Sequence, residues 1–356
     1  MVWVFAGGAF IVLIVGIGIW RVRRLGSDLT AKEREDLIVG NLGIAFSGLA
    51  SFAVAASLLY SAKIVEQTQE GTRISQDTLN ATIESQNADR FNNAVAQLAS
   101  EKITERTGGV FALGGLLGDE HYRPVVLDLL SEYVRDNTKP PARMPRLSVP
   151  PCQPGRSVLS EPPGDIRAAV KVLVQRNTAV DPPNYRLDLS GAYLAGIRLA
   201  GANLANSILE GTDFTAADLT QANMEQASIE SARFSFACMP TVRLSHAGIH
   251  NTRFDNAVVG GAEFHAANLA CVDMRQANLA QAKFTAAANR PAAVLMGVDF
   301  TGAPTAEVDW RGVDLSQENI LTQEQVRVAM TDGATRLPNL IRKQQLPPPC
   351  SQLAAK

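Results

Sequence analysis

Two histidines, His246 and His250, stand four residues apart, the spacing at which imidazoles on one helix face can grip a metal ion. His265 follows three five-residue steps later, and Cys238 and Cys271 offer thiols 33 residues apart. Gly108, Gly109, Gly114 and Gly115 have the composition of a loop that cradles phosphate. None of these groups completes a site. The histidines lie in a stretch of five-residue period rather than in a helix, so His246 and His250 fall on different sides of a corner. No cysteine or carboxylate accompanies them at ligand spacing. The cysteine separation is not near a multiple of twenty, so the two thiols do not stack. No Lys-Ser/Thr follows the glycines and no strand precedes them, which leaves close helix packing as their use. A nucleophile elbow and a Walker sequence are both absent. The expectation is a chain with no catalytic, cofactor-binding or metal-binding residues, hence no enzyme and no cofactor.

Composition supports that reading. The 356 residues suffice for two or three folding units. Aromatics make up 6%, thin for a base-stacking surface, and a net charge of −2 gives no basic excess for nucleic acid. Four scattered cysteines make neither a disulfide scaffold nor a zinc ribbon.

The elements that carry the chain are unevenly distributed. Residues 2–20 hold no charge and have a tryptophan near each end, Trp3 and Trp20. That length just crosses a hydrocarbon core of about 30 Å, with indoles at the interfaces. A signal peptide fits less well, because no Lys or Arg precedes the long apolar run. Residues 38–62 form a second uncharged run, in which Gly43, Ser47 and Ser51 share a face suited to close helix packing. The spacing predicts a transmembrane helical hairpin over 1–62. Between the runs lie Arg21, Arg23, Arg24, Lys32 and Arg34, against Lys63 and Arg73 after them. The positive-inside rule then puts this loop in the cytoplasm and both termini outside.

Residues 63–136 read as a helical stalk and a small helical bundle. Apolar stripes are Phe91, Ala94, Val95 and Leu98; then Val110, Phe111, Leu113, Leu116 and Leu117 over 104–117. A third, opening at Pro124, has Val125, Val126, Leu129, Leu130, Tyr133 and Val134. A linker with eight prolines spans 137–163, and 164–186 holds one more helix and an entry segment.

From Leu189 to Phe284, every fifth residue is large and apolar, twenty in succession. Two residues before each, the side chain is mostly small, as at Ala192, Ala202, Ser207, Thr212 and Ala217. A period of five belongs neither to a helix nor to a flat strand. It describes a solenoid in which a short extended piece and a turn alternate, with large and small residues filling a narrow core. Stretches such as GANLANS at 201–207 and QANLAQAKF at 276–284 resemble the pentapeptide-repeat family. That resemblance covers 187–320. It implies an all-β right-handed quadrilateral β-helix with twenty residues per coil, about six coils and a rod of roughly 30 Å. Residues twenty apart should then stack, placing Phe214, Phe234, Phe254 and Met274 in one core ladder and Phe264 and Phe284 in another. The charges outside should alternate along their columns. The period slips over 286–294, read as a loop leaving the coil, and resumes one residue out of phase at Leu295. Thr322 and Gln325 form a capping box that should open a helix running to about 331 and closing the solenoid, within a capping helix and tail at 321–356. The stretches at 90–113 and 321–338 also resemble segments that flank the repeats in membrane-attached members of the family.

The resulting expectation is a multi-pass protein of the cell (inner) membrane with its C-terminal domain on the extracytoplasmic side. It would be a membrane-anchored, non-enzymatic scaffold presenting the solenoid for protein–protein interaction. Its partners would be the lipid bilayer and a protein, with no nucleic acid, and self-association into a homo-oligomer is left open. The alternative is a DNA-mimicking topoisomerase binder, a role the resemblance brings in. Residues 187–320 carry fourteen acids and eight bases, but interspersed. Cys152 and Cys350 sit in proline-rich flanks on either side of the solenoid. In an oxidising compartment they could join linker to tail, although the two ends of a rod are far beyond the roughly 7 Å that a disulfide bridges.

Overall fold

The computed structural model describes residues 30–141, 159–286, 291–316 and 319–337, together with 13, 16–21, 23, 24 and 147. Two units are compact in themselves, 1–86 and 87–356. In the first, residues 13 and 16–20 are helical, and the rest of the first apolar run lies outside the described residues. Helix α1, Ala31–Leu98, contains the whole second run and continues into the polar stretch without a break. Among the described residues, one helix segment, Phe46–Leu98, is long and apolar enough to cross a membrane, with a mean hydropathy of 1.6 in its most apolar window. Ile44, Phe46, Val54, Leu58 and Leu59 are all exposed along it, so their apolar surface is unburied by protein.

In the second unit, the C-terminal end of α1 joins α2 (Ile103–Gly115), α3 (Arg123–Asn137) and α4 (Gly164–Val174) in a small bundle. Pro124 stands in the first turn of α3, where its missing N–H costs nothing. Ala94, Val110, Leu113, Val126, Leu127, Leu130, Ile166, Val170 and Leu173 fill the core. Three residues of the expected stripes face outward: Val95, Phe111 and Val125 are 36%, 57% and 52% exposed. Leu127 takes a core place instead and is fully buried. At Gly109 a Cβ would stand 2.7 Å from the Ala94 carbonyl oxygen, so α2 and α1 touch backbone to backbone there. Gly114 is similarly covered by Val172; these glycines serve packing.

Beyond α4 the chain winds into parallel coils. All twenty large residues from Leu189 to Phe284 are buried. Residues twenty apart are paired throughout, as in Arg198 with Asp218 and Asp213 with Arg233. On one face the pairing lengthens into strands β1 (Ser228–Glu230), β2 (Gly248–His250), β3 (Asn268–Ala270) and β4 (Val294–Met296), parallel and adjacent in that order. Ile229, Ile249, Leu269 and Leu295 stack in its centre. Each large residue donates its N–H one coil onward, Phe234 to the Arg253 carbonyl at 2.7 Å, while Arg233 donates back to Thr212 at 2.9 Å. Backbone groups are thereby paired in both directions. A positive φ at every fifth residue from Gly191 to Gln281 makes the corners. Most of these residues are not glycine, and each accepts left-handed backbone because the coil above and below fixes it.

The phase slip is six residues: Asn268 pairs with Val294 and Lys283 with Asp309, an offset of 26 instead of 20. The expected loop contains 287–290, which lie outside the described residues. At the far end, Thr322 accepts from the Gln325 N–H, while the Gln325 side chain accepts from the Thr322 N–H, the expected box. The helix it opens, α5, is only Gln323–Arg327. It does not close the solenoid, because Met330 pairs with Asp309 and Arg336 with Asp314. The coil thus continues past 320, and α5 stands in for one side of it. The Gln325 amide explains the short length: it donates to the Phe300 and Ala303 carbonyls at 2.6 and 2.9 Å, drawing the helix onto the preceding coil.

Candidate interaction surface

The interior is a ladder of rings. Phe214 and Phe234 stack with centroids 5.3 Å apart, Phe234 and Phe254 at 4.9 Å, and Phe264 and Phe284 at 4.6 Å, each pair within 13° of parallel. Met274 is fully buried beyond Phe254. Buried Thr212 and Thr252 bond their hydroxyls to the Leu189 and Ile229 carbonyls of the preceding coil, whereas the buried Ser207 and Ser245 hydroxyls and the Trp310 indole N–H have no hydrogen-bond partner among the described residues.

Outward side chains form columns. Asp213, Arg233, Arg253, Asp273 and Asp299 lie in one line, and Arg243, Glu263, Lys283 and Asp309 in another. The expected strict alternation fails in the first column, where Arg233 and Arg253 are neighbours. Acids lie on both sides of the two arginines, and Arg233 reaches Asp213 at 3.8 Å. The second column alternates, with Lys283 3.3 Å from Glu263. Arg198 turns away from Asp218 to pair with Glu161 of the segment before α4.

The acids have a second job that spacing alone did not reveal. Asp188, Asp213, Asp218, Asp273, Asp299, Asp309 and Asp314 each accept, on one oxygen, the backbone N–H two residues on, at 2.8 to 3.2 Å. Asn203, Asn223 and Asn278 do the same. These are Asx turns, and they open the corners that follow these ten residues. Two acids are further neutralised by forked arginines, Asp273 by Arg275 and Asp309 by Arg311. Arg311 holds the Asp309 carboxyl below the usual carboxylate range.

In the bundle a buried cluster joins three helices. Arg106 donates to Asp165 at 2.6 Å and to the Tyr133 hydroxyl at 3.0 Å, and that hydroxyl donates to Asp165 at 2.5 Å. Burial, reinforced by the Asp165 charge, pushes Tyr133 up to about 12. Burial also works to raise Asp165, but the bonds from Tyr133 and Arg106 outweigh it and hold the carboxyl low. The cluster ties the three helices together through these bonds. A groove of about 430 Å³ opens beside it, where Thr138, Lys139, Glu161 and Tyr193 meet.

The histidines are placed apart. His246 forms a corner, His250 ends β2, and His265 is buried with Nδ1 against the Thr285 carbonyl oxygen at 2.5 Å. Among the described residues, no three of His, Cys, Asp and Glu converge to hold a metal ion. Cys238 and Cys271 are both disulfide-bonded, which the repeat spacing gave no reason to expect. Cys152 and Cys350 lie outside the described residues.

Comparison with known proteins adds a family. The model of pentapeptide repeats matches residues 186–221, 207–245 and 249–285. Among solved structures, HetL, a pentapeptide repeat protein involved in heterocyst differentiation regulation from the cyanobacterium Nostoc sp. strain PCC 7120, is 20% identical. The match covers 43% of this chain and 81% of that one, with a TM-score of 0.23. Full-length QnrB1, a plasmid-mediated fluoroquinolone resistance protein, is 14% identical over 47% of this chain and 90% of its own, with a TM-score of 0.22. A pentapeptide repeat protein from the Arabidopsis thaliana thylakoid lumen is 18% identical over 48% and 88%, with a TM-score of 0.18. No curated protein matches. The repeat match and the chain's own twenty-residue coils agree, and residues 186–245 and 249–285 of this chain are pentapeptide repeats.

Proposed function

We propose that the chain is a membrane-anchored, non-enzymatic scaffold whose β-helix offers its flat outer faces to a protein partner. The observation that carries this reading is the state of the outward acids. A DNA mimic needs rows of carboxylates free to stand in for phosphates. Here Asp213, Asp218, Asp273, Asp299, Asp309 and Asp314 are turned into their own backbone corners, and arginines fork onto Asp273 and Asp309. What remains is a rigid surface of mixed charge at fixed spacing, the kind of face repeat solenoids use against proteins. The exposed apolar side chains of α1 support the anchor. Anchoring by a hairpin in the cell membrane, with the β-helix extracytoplasmic, completes the proposal. It would also separate the protein from topoisomerases.

A supercoiling assay tests the reading against its rival. Full-length protein in detergent, added to DNA gyrase at low micromolar concentration, should leave supercoiling unchanged. Inhibition there would favour the DNA mimic and overturn the scaffold.

A further inference from the structure

Along the part of α1 that follows the apolar run, charge keeps to one face. Lys63, Glu66, Glu70, Arg73, Asp77 and Glu84 stand three, four, three, four and seven residues apart, and they are all the charges between 63 and 86. This is a seven-residue repeat, and the two positions it uses are the outward ones of a coiled coil, b and f. The a and d positions of the same repeat are Val65, Thr68, Thr72, Ser75, Leu79 and Thr82, and the e and g positions beside them are uncharged too. A straight helix drifts by about 20° per heptad from such a spacing, so a face that keeps it over three heptads is suited to a left-handed supercoil.

All six seam residues are exposed. Thr68, Thr72, Ser75 and Thr82 donate their hydroxyls to the carbonyls of Ile64, Thr68, Gly71 and Thr78, one turn back, at 2.8 to 2.9 Å. The seam can therefore leave water without orphaning a hydroxyl donor. Local support for the helix is thin. Thr, Ser and Gly are weak helix formers, and the only ion pair among the described residues from 63 to 86 is Arg73 with Asp77 at 3.9 Å. A lone polar helix of this kind is marginal in water. The same repeat runs back into the apolar run through Ser47, Ser51, Val54 and Leu58, mostly small side chains that let helices approach. Contact from Ile44 to Gln86 would be about 65 Å long and about 10 Å wide. It would hide roughly 1,300 Å² over both partners, the size of a specific interface.

We propose that α1 pairs with α1 of a second copy of this chain, parallel and in register, along Val65, Thr68, Thr72, Ser75, Leu79 and Thr82. A second copy fits because it brings the identical face. Seam and flanks are uncharged on both sides, so no ion is buried unanswered, and the b and f charges of both chains stand outward in water. A partner helix with charges on its contact face would find none here to meet them. The parallel sense rests on the membrane anchor of the proposed function, which sets both chains across the bilayer in one direction. Each assembly then carries two β-helices.

Photo-crosslinking reads the face. Full-length protein in its membranes carries a photoreactive amino acid singly at Val65, Thr72 or Leu79, or at Glu66, Arg73 or Asp77. Expected is a product of twice the chain mass, made of this chain alone and about tenfold stronger from the first three positions. Mass spectrometry should place each link within one helical turn of the same residue number. Equal yield from both sets, links to distant numbers, another protein in the product or no product would overturn the pair. Alkaline carbonate extraction of the same membranes reads the anchor separately: like-numbered links uphold the pair even if the protein is extracted, and distant links overturn it even if the protein stays. With Val65→Glu and Leu79→Glu combined, the yield from Thr72 should fall about tenfold while thermal unfolding of the β-helix is unchanged. An undiminished yield would overturn pairing along this seam.

Discussion

The helical bundle and the β-helix solve the same problem in opposite ways. In the bundle, uniqueness is concentrated at one place. Arg106, Tyr133 and Asp165 come from three helices and bond to one another on a single Asp165 oxygen, and Gly109 permits one close approach. In the β-helix, uniqueness is spread over a rule. Each coil repeats the same large residue, small residue and left-handed corner, and Asx turns open ten of the corners. A concentrated solution should fail locally when one group is removed. A distributed one should lose stability in proportion to what each rung buries, and its surface should tolerate change.

The largest effect should follow Phe234→Ala, which empties a rung held between Phe214 and Phe254. A loss of about 3–5 kcal/mol is expected in thermal unfolding. A loss no greater than that of a surface arginine would contradict the ladder. Asp165→Asn removes the charge that Arg106 answers and should cost about 3 kcal/mol. Hydrogen exchange should show it confined to α2, α3 and α4, with β-helix amides still protected. Spreading into the coils would blur the distinction between the regions.

The pH dependence sharpens the same contrast. Asp165 is held low in the folded bundle, so its contribution is present above the ordinary carboxylate range and is lost as pH falls through its depressed value. Tyr133 is raised to about 12. Its contribution is therefore complete below about 10 and disappears as pH climbs toward 12, a change on the order of 2 kcal/mol. Tyr133→Phe should flatten that alkaline limb in a pH series of unfolding curves. Gly109→Ala, pressing a methyl against the Ala94 carbonyl, should cost about 1–2 kcal/mol. Smallest of all, Arg233→Ala touches a half-exposed pair and should change stability by about 0–1 kcal/mol.

The difference between the regions also governs what could be read from sequence. The run from Leu189 to Phe284 repeats one local instruction, so period alone predicts coils and columns. The capping box at Thr322 is local too, and is present; the reach of its helix was not legible, because the Gln325 amide answers carbonyls of Phe300 and Ala303 more than twenty residues earlier. Arg106 and Asp165 are 59 residues apart, and nothing near either announces the other. Phe111 and Val125 obey helical periodicity yet face outward, since a stripe broader than the contact leaves its margin in solvent. The Asx turns hid in plain composition: an Asp directly before a large residue, as at Asp213 and Asp218, looked like solvated surface until its backbone partner was placed.

The central claim is that faces of a twenty-residue coil meet a protein at the membrane. A photo-crosslinking amino acid can be placed singly at Arg243, Glu263 and Lys283, one column, and at Asp213, Arg233 and Asp273 on the opposite side of the coil. Crosslinking in intact cells should yield the same partner from all three positions of one column and nothing from the other. Capture without a twenty-residue period, or none from either column, would contradict it.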